Sequence, residues 1–161
     1  MDGLGGPPLS SNVRRAMSIE KIASIAKEMR AAIERTDRGF LPITFKDFPR
    51  GSCGDAALIL GRHLRESGYE GFQYVLASRG DRWDNSWYSH AWIERQGLIV
   101  DITADQFPDF PHNVFVGTES QFHATFEVEE RSEADYAIYD VDTASTLARA
   151  YREILKQYGR A

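Results

Sequence analysis

The chain contains a single cysteine, Cys53, at a point where a helix is expected to begin. A segment with proline and glycine precedes it, and the residues from Cys53 to Ser67 are apolar over most of a helix circumference. The first N–H groups of a helix have no partner within the helix and carry the positive end of its dipole. That position favours the reactive thiolate form of a cysteine. The N–H groups of Cys53 and Gly54 can also bind the oxyanion of a tetrahedral intermediate.

His90 and Asp101 lie on two segments that the sequence predicts to form a β-hairpin. The predicted strands are Tyr88–Arg95 and Leu98–Thr103, and they flank Gln96-Gly97, a pair typical of a tight turn.

This turn fixes which residues of the hairpin share a face. Ile93 is expected opposite Val100, on a face that is wholly apolar. The other face carries His90, Trp92, Asp101 and Thr103. His90 and Asp101 are diagonal neighbours at about 7–8 Å, a separation that their side chains bridge by a hydrogen bond. With Cys53 at the other imidazole nitrogen, they would form a triad of nucleophile, base and orienting residue.

Each of these residues also has a purely structural interpretation. A lone cysteine often packs as a small buried apolar side chain, and a histidine on a strand is often buried with a satisfied hydrogen bond. Cys53, His90 and Asp101 together resemble part of a zinc site, but no fourth ligand is evident, so neither a metal nor another cofactor is expected. The remaining histidines are interpreted as surface or structural residues; they are His63, His112 and His123. The catalytic interpretation is preferred because three features agree with it: Cys53 lies at a predicted helix start, the predicted register joins His90 to Asp101, and the opposite face of the hairpin is apolar.

Aromatic residues surround the predicted triad in the sequence. The polar segment before the His90 strand contains Trp83 and Trp87 and leads into Tyr88. These three residues, with Trp92 and Gln106, are the candidates for substrate contact. The alternative is an exposed loop whose aromatic side chains pack back on the core.

The composition narrows the class of protein. The chain has 161 residues, 42% apolar and 27% charged, a size and balance typical of one globular domain. Its net charge of −5 and lack of a basic stripe argue against nucleic acid as a partner. No apolar run is long enough to span a bilayer and no export signal is evident, so a cytoplasmic protein without membrane contact is expected. A single cysteine excludes an internal disulfide.

The pattern along the chain predicts an α+β fold with helices packed on an antiparallel sheet. The expected elements are a flexible arm over residues 1–12 and a single domain over 13–161, with helices at Val13–Arg38, Cys53–Ser67 and Thr143–Tyr158. Further strands are expected from Phe72 onward, at Val114–Val116 and at Ala124–Val128. Asp142 is the expected N-cap of the last helix.

Three segments resemble the transglutaminase-like core of the papain-type cysteine enzyme superfamily. They are Gly51-Ser52-Cys53-Gly54-Asp55-Ala56, His90-Ala91-Trp92-Ile93-Glu94 and Val100-Asp101-Ile102-Thr103. They occur in the family's order and lie within residues 51–103. The resemblance implies an α+β fold, with Cys53 on a helix as nucleophile and His90 and Asp101 on neighbouring strands as base and orienting residue. One departure is that residues 1–52 contain no glutamine, the oxyanion donor that papain-like peptidases place before the cysteine.

By this resemblance the expected activity is cysteine-dependent hydrolysis of an amide through a thioester, by a peptidase, an amidase or a protein-glutamine deamidase. The substrate would be a peptide, a protein or a small amide. The alternatives are transfer of the acyl group to an amine, as in a transglutaminase, and a non-catalytic binding module that retains the fold.

Overall fold

The fold is a five-stranded antiparallel sheet with its long helices packed on one face. The structure is a computed structural model that describes residues 5–160. The helices are α1 (Ser11–Arg35), α2 (Cys53–Glu66), α3 (Gln121–Ala124) and α4 (Val141–Leu155). The strands are β1 (Gln73–Arg79), β2 (Tyr88–Arg95), β3 (Leu98–Asp101), β4 (Phe115–Gly117) and β5 (Glu127–Glu133). Short 3₁₀ turns lie at Arg38–Phe40, Ile43–Phe45, Ala104–Gln106 and Tyr136–Ile138. The predicted α+β class is confirmed.

The strands are arranged in the order β4-β3-β2-β1-β5, and every neighbouring pair is antiparallel. The central hairpin of β2 and β3 turns at Gln96-Gly97 and pairs Ile93 with Val100, so the predicted register is confirmed. Both turn residues have positive φ, 49° and 78°, which this tight connection requires.

The main core lies between the helices and one face of the sheet. Its helix residues recur at three- and four-residue steps, as expected for amphipathic helices. They are Ile22, Ala26, Met29 and Ile33 from α1; Ala56, Ile59, Leu60 and Leu64 from α2; and Leu147, Ala150, Tyr151 and Ile154 from α4. This packing fixes the start of α2, and therefore Cys53, against the sheet.

A second, smaller apolar cluster covers the opposite face of the sheet. It consists of Val75, Ala77, Trp92, Ala104, Phe107, Phe122 and Phe126. The face of the hairpin that carries His90 is therefore sealed by aromatic side chains. Both faces of the sheet are buried at its centre.

Several boundaries differ from the sequence predictions. Helix α1 begins at Ser11, two residues early, because the Ser10 hydroxyl accepts a hydrogen bond from the Val13 N–H and caps it. It ends at Arg35, where Thr36 turns extended, rather than at Arg38. Residues 5–10 have no regular structure, and residues 1–4 of the predicted flexible arm lie outside the described residues.

The predicted strand Ala124–Val128 is wrong in its first half. Ala124 ends the short helix α3, and β5 occupies Glu127–Glu133 instead. The β5 sequence is mostly charged and exposed because it forms a sheet edge, so it lacks the apolar alternation that identifies a strand.

The last helix begins at Val141 because Asp140, rather than Asp142, is its N-cap: its carboxylate accepts a hydrogen bond of 2.9 Å from the Thr143 N–H. The helix ends at Leu155, before Tyr158, and Leu155 is partly exposed. No helix within residues 5–160 combines the length and the apolar character needed to cross a bilayer.

Replacing Gly61 with alanine tests the packing of α2. A Cβ atom on Gly61 would lie 2.2 Å from the Ala134 carbonyl oxygen, which is backbone and has little freedom to move. We expect Gly61→Ala to lower the free energy of unfolding by about 1–3 kcal/mol, measured by urea denaturation. Unchanged stability would contradict this close contact.

Candidate functional site

Cys53 is the first residue of α2 and is half-buried. Ser52 occupies the N-cap position, but its hydroxyl donates to the Pro49 carbonyl at 2.9 Å and makes no capping hydrogen bond. The first intrahelical bond runs from the Ala56 N–H to the Ser52 carbonyl. The N–H groups of Cys53 and Gly54 therefore have no acceptor within the helix. The sulfur sits beside unpaired backbone donors, as the sequence predicts.

His90 and Asp101 form the hydrogen bond that the hairpin register predicts. The His90 Nε2 atom lies 2.7 Å from Asp101 Oδ2, and the two side chains are 0% and 1% exposed. The other carboxylate oxygen accepts a hydrogen bond of 2.9 Å from the Thr103 N–H. Because an ionised carboxylate only accepts, the hydrogen of a neutral His90 must be on Nε2. Its Nδ1 atom is then left as the proton acceptor.

Cys53 lies close enough to His90 for its thiol to influence the imidazole. Burial lowers the pKa of His90, but the charge and hydrogen bond of Asp101, with smaller contributions from the Cys53 thiol, raise it to about 9. Within residues 5–160 no sulfur–imidazole hydrogen bond of standard geometry is formed, and such contacts commonly tighten only when substrate binds. The structure thus brings the three predicted residues to one place.

Asp101 stays ionised in this buried position. Burial raises the pKa of its carboxyl, but the imidazoles of His90 and His123 outweigh that effect and hold the pKa well below its usual value of 3.8. A fixed negative charge at this point orients both rings.

His123 is a member of the site that sequence reasoning missed. Its Nε2 atom lies 2.7 Å from the same Asp101 Oδ2 that binds His90, and the Ser120 hydroxyl lies 2.6 Å from its Nδ1. Since Nε2 must donate to the carboxylate, Nδ1 accepts from Ser120. The sequence predicts His123 to be either a surface or a structural residue. It is buried, so the surface alternative is wrong and the structural one is correct. The neighbouring Phe122 indicated burial, but no sequence pattern links position 123 to Asp101.

Gln106 lies beside the imidazole, as a predicted substrate-contacting residue would. Its amide nitrogen is 3.2 Å from His90 Nδ1 and 3.1 Å from the Thr103 carbonyl. The second contact fixes the orientation of the amide, because only its nitrogen can donate to a carbonyl.

Arg30 of α1 holds the segment that carries Gln106, a role that the sequence did not indicate. Its guanidinium makes bonds of 2.7 and 2.8 Å to the two carboxylate oxygens of Asp105 and one of 2.7 Å to the Ile102 carbonyl. Such a two-pronged contact fixes direction as well as distance.

The predicted aromatic contacts divide into different roles. Trp92 is 2% exposed and packs edge-on against His123 at 4.9 Å, so its predicted contact with substrate is wrong: the second apolar cluster excludes it from solvent. Trp83 is 96% exposed, and Trp87 lies under the Arg82 guanidinium. Neither indole is among the rings that pack on His90, which are Trp92, Phe107, Phe122, Phe126 and His123.

Tyr88 is the member of this aromatic set that reaches the edge of the site. It is half exposed and packs edge-on against Phe107 at 6.0 Å, and Phe107 in turn packs on His90 at 5.1 Å.

A polar cleft opens beside Gln106. It has a volume of about 650 Å³ and is lined by Asp47, Phe48, Pro49, Arg50, Asp105 and Gln106. It therefore joins the residues just before Cys53 to the amide that faces His90. A larger cavity of about 830 Å³ lies between α1 and the β4 region. Neither Cys53 nor His90 lines either space, but only the polar cleft includes Gln106, which contacts the His90 imidazole.

Three of the buried groups have the chemistry of metal ligands. The ligand atoms of His90, Asp101 and His123 lie within 4.8 Å of one another. In this geometry, however, both Nε2 atoms donate a hydrogen bond to the same carboxylate oxygen, so each carries a hydrogen and has no lone pair to offer an ion. Hydrogen bonds alone explain why His90, Asp101 and His123 lie together.

The fold and the site together define an α+β protein in which a cysteine at a helix start meets a buried His–Asp–His network. Comparison of the chain with protein-family models, with curated proteins and with solved structures finds no match. The geometry of the described residues must carry the functional argument.

The pKa values of His90 and Asp101 predict how stability depends on pH. The folded pKa of His90 lies above its ordinary value of 6.5, so its contribution is full below pH 6.5 and is lost as pH rises toward about 9. The folded pKa of Asp101 lies below 3.8, so its contribution is full above pH 4 and is lost as pH falls further. Urea unfolding from pH 3 to 10 should show greatest stability near pH 5–6. In Asp101→Asn the decline between pH 6.5 and 9 should largely vanish; an equal decline would contradict the pairing.

Two substitutions of His123 separate its hydrogen bond from its bulk. His123→Leu removes the donor to Asp101 and should lower the free energy of unfolding by about 1.5–3 kcal/mol, the range for a hydrogen bond to a charged group. His123→Gln retains an N–H near the position of Nε2 and should recover much of that loss. Equal losses in urea denaturation would show that the contact with Asp101 contributes nothing.

Proposed function

We propose that this protein is a cysteine-dependent amide hydrolase that acts through a thioester. The observation that carries the proposal is the meeting of Cys53, at a helix start with open N–H groups, with a His90–Asp101 pair joined at 2.7 Å. The resemblance of these segments to the transglutaminase-like core of papain-type enzymes supports the same role for each residue. The substrate class is a peptide, protein or small amide.

The first half of the reaction forms the thioester. Because the pKa of His90 is raised to about 9, the imidazole holds the proton of the Cys53–His90 pair at neutral pH, and the Cys53 thiolate attacks the amide carbonyl carbon. The carbonyl electrons move to oxygen, and the N–H groups of Cys53 and Gly54 stabilise that charge. As the C–N bond breaks, His90 returns the proton to the departing amine. Asp101 stabilises the imidazolium in the interval without taking its proton.

The second half releases the acid. Water gives a proton to His90 Nδ1 and attacks the thioester carbonyl, and collapse of the second intermediate breaks the C–S bond. The proton then returns to the sulfur, so the enzyme is regenerated. If an amine replaces water at this step, the same residues perform acyl transfer.

The polar cleft beside Gln106 and Arg50 is the expected path for substrate. Among the three triad residues only Cys53 is more than marginally exposed, so substrate must reach the sulfur first. The buried His–Asp pair behind it lies in a low-dielectric environment, where its electrostatic effect is stronger than in water.

Alkylation of Cys53 by iodoacetamide distinguishes an enzyme from a binding module. We expect the protein to react at pH 7 at least about 10-fold faster than a free peptide cysteine, because the protonated His90 imidazole and the helix start stabilise the Cys53 thiolate. His90→Gln keeps an N–H for Asp101 but cannot act as base, and it should slow the reaction by a similar factor.

His63→Gln is the matched control, since His63 contacts Tyr151 away from the site and its loss should leave the rate unchanged. Mass spectrometry after incubation with peptide, amide and ester libraries should reveal thioester adducts that Cys53→Ala lacks. A wild-type thiol no more reactive than a free cysteine, with no adduct, would favour the binding role instead.

A further inference from the structure

Tyr74 of β1 places its hydroxyl at the start of α2. Its side chain is on the helix-facing side of the sheet, opposite Ile93, and is 9% exposed. A Cβ atom built on Gly54 would lie 3.1 Å from the Tyr74 hydroxyl oxygen. The hydroxyl therefore approaches the backbone next to the nucleophilic cysteine.

A glycine at position 54, inside α2, is unusual unless another group must come close to the helix backbone there. Glycine is less favourable than alanine in a helix by about 1 kcal/mol. Its φ is not in the positive range that would call for glycine, so conformation gives no reason for it. The contact with Tyr74 does give one, because a Cβ would push the hydroxyl away.

The Tyr74 hydroxyl is free to bind a ligand. Within residues 5–160 it forms no hydrogen bond, although a buried tyrosine hydroxyl usually has a partner. It is not among the fully enclosed, unpartnered polar atoms, so it remains accessible to solvent or substrate. Burial raises its pKa, and the neighbouring Cys53 raises it further. The group stays a hydrogen-bond donor through the whole neutral range.

We propose that the Tyr74 hydroxyl donates a hydrogen bond to the oxyanion that forms when Cys53 attacks a carbonyl. This inference rests on the proposed function. The negative charge moves from sulfur to the carbonyl oxygen, and Tyr74 stabilises it together with the open N–H groups of α2 while keeping its own proton. Papain-like peptidases use a glutamine before the cysteine as a side-chain donor to the oxyanion, and residues 1–52 contain none. In this protein Tyr74 supplies the side-chain donor instead.

Gln106 is less suited to this role although it also faces the site. One hydrogen of its amide is committed to the Thr103 carbonyl, and its nitrogen lies 3.2 Å from His90 Nδ1. It therefore lies against the imidazole. The Tyr74 hydroxyl lies near Gly54 instead, at the start of α2 where the first N–H groups have no acceptor within the helix.

Two reactions of the same sulfur test the proposal. Acylation by p-nitrophenyl acetate passes through an oxyanion, whereas alkylation by iodoacetamide does not. Tyr74→Phe should slow acylation of Cys53 by about 100-fold, the typical effect of losing one oxyanion donor. Its alkylation rate should stay within about 2-fold of the wild type. Equal acylation rates in Tyr74→Phe and wild type would overturn the inference.

Controls separate this role from a structural one. Tyr136→Phe removes the hydroxyl of another buried tyrosine and should leave both rates unchanged. Gly54→Ala should slow acylation in the wild type but add little in Tyr74→Phe, because the hydroxyl it displaces is already absent. Additive losses would count against the contact.

The outcomes also distinguish the two proposals. If wild-type Cys53 is acylated no faster than in urea-unfolded protein, the proposed function fails and this inference fails with it. If wild type is acylated rapidly and Tyr74→Phe equally so, only the role of Tyr74 fails.

Discussion

The buried carboxylate of Asp101 is the constraint around which this site is built. An ionised group removed from water is stable only when charged or hydrogen-bonding partners replace the lost hydration. Asp101 has three such partners: the Nε2 groups of His90 and His123, and the Thr103 N–H. They come from β2, from α3 and from the turn after β3, so one carboxylate ties these elements together. The same three donors fix the direction of both imidazole rings.

The two faces of the sheet pack against different groups of residues. The helix-facing side carries the main core and sets the position of α2, so that Cys53, at the start of this helix, packs against that core. The opposite side is sealed by Trp92, Phe107, Phe122 and Phe126 around His90. Excluding water there strengthens every interaction of the His–Asp network. The thiol, half-buried at the boundary, is the point where this enclosed network meets solvent.

The start of α2 and the segment with Gln106 supply different polar groups to the site. Ser52 turns its hydroxyl to Pro49 and leaves the first amides of α2 open, and Tyr74 approaches the same end. Arg30 holds the segment with Gln106 against the imidazole. Such an arrangement can hold charge on an oxygen at the start of α2 and move a proton at the imidazole. Both proposals depend on this division.

The sequence by itself determined what local interactions control. Helical periodicity placed the start of α2 at Cys53, and Gln96-Gly97 fixed the hairpin register that joins His90 to Asp101, because the turn conformation and strand pairing act over a few residues. The tertiary structure decided the rest. His123 is 22 residues from Asp101 and Arg30 is 75 from Asp105, and no periodicity connects them. The burial of Trp92, the charged edge strand β5 and the approach of Tyr74 to Gly54 likewise arise only when distant elements pack against one another.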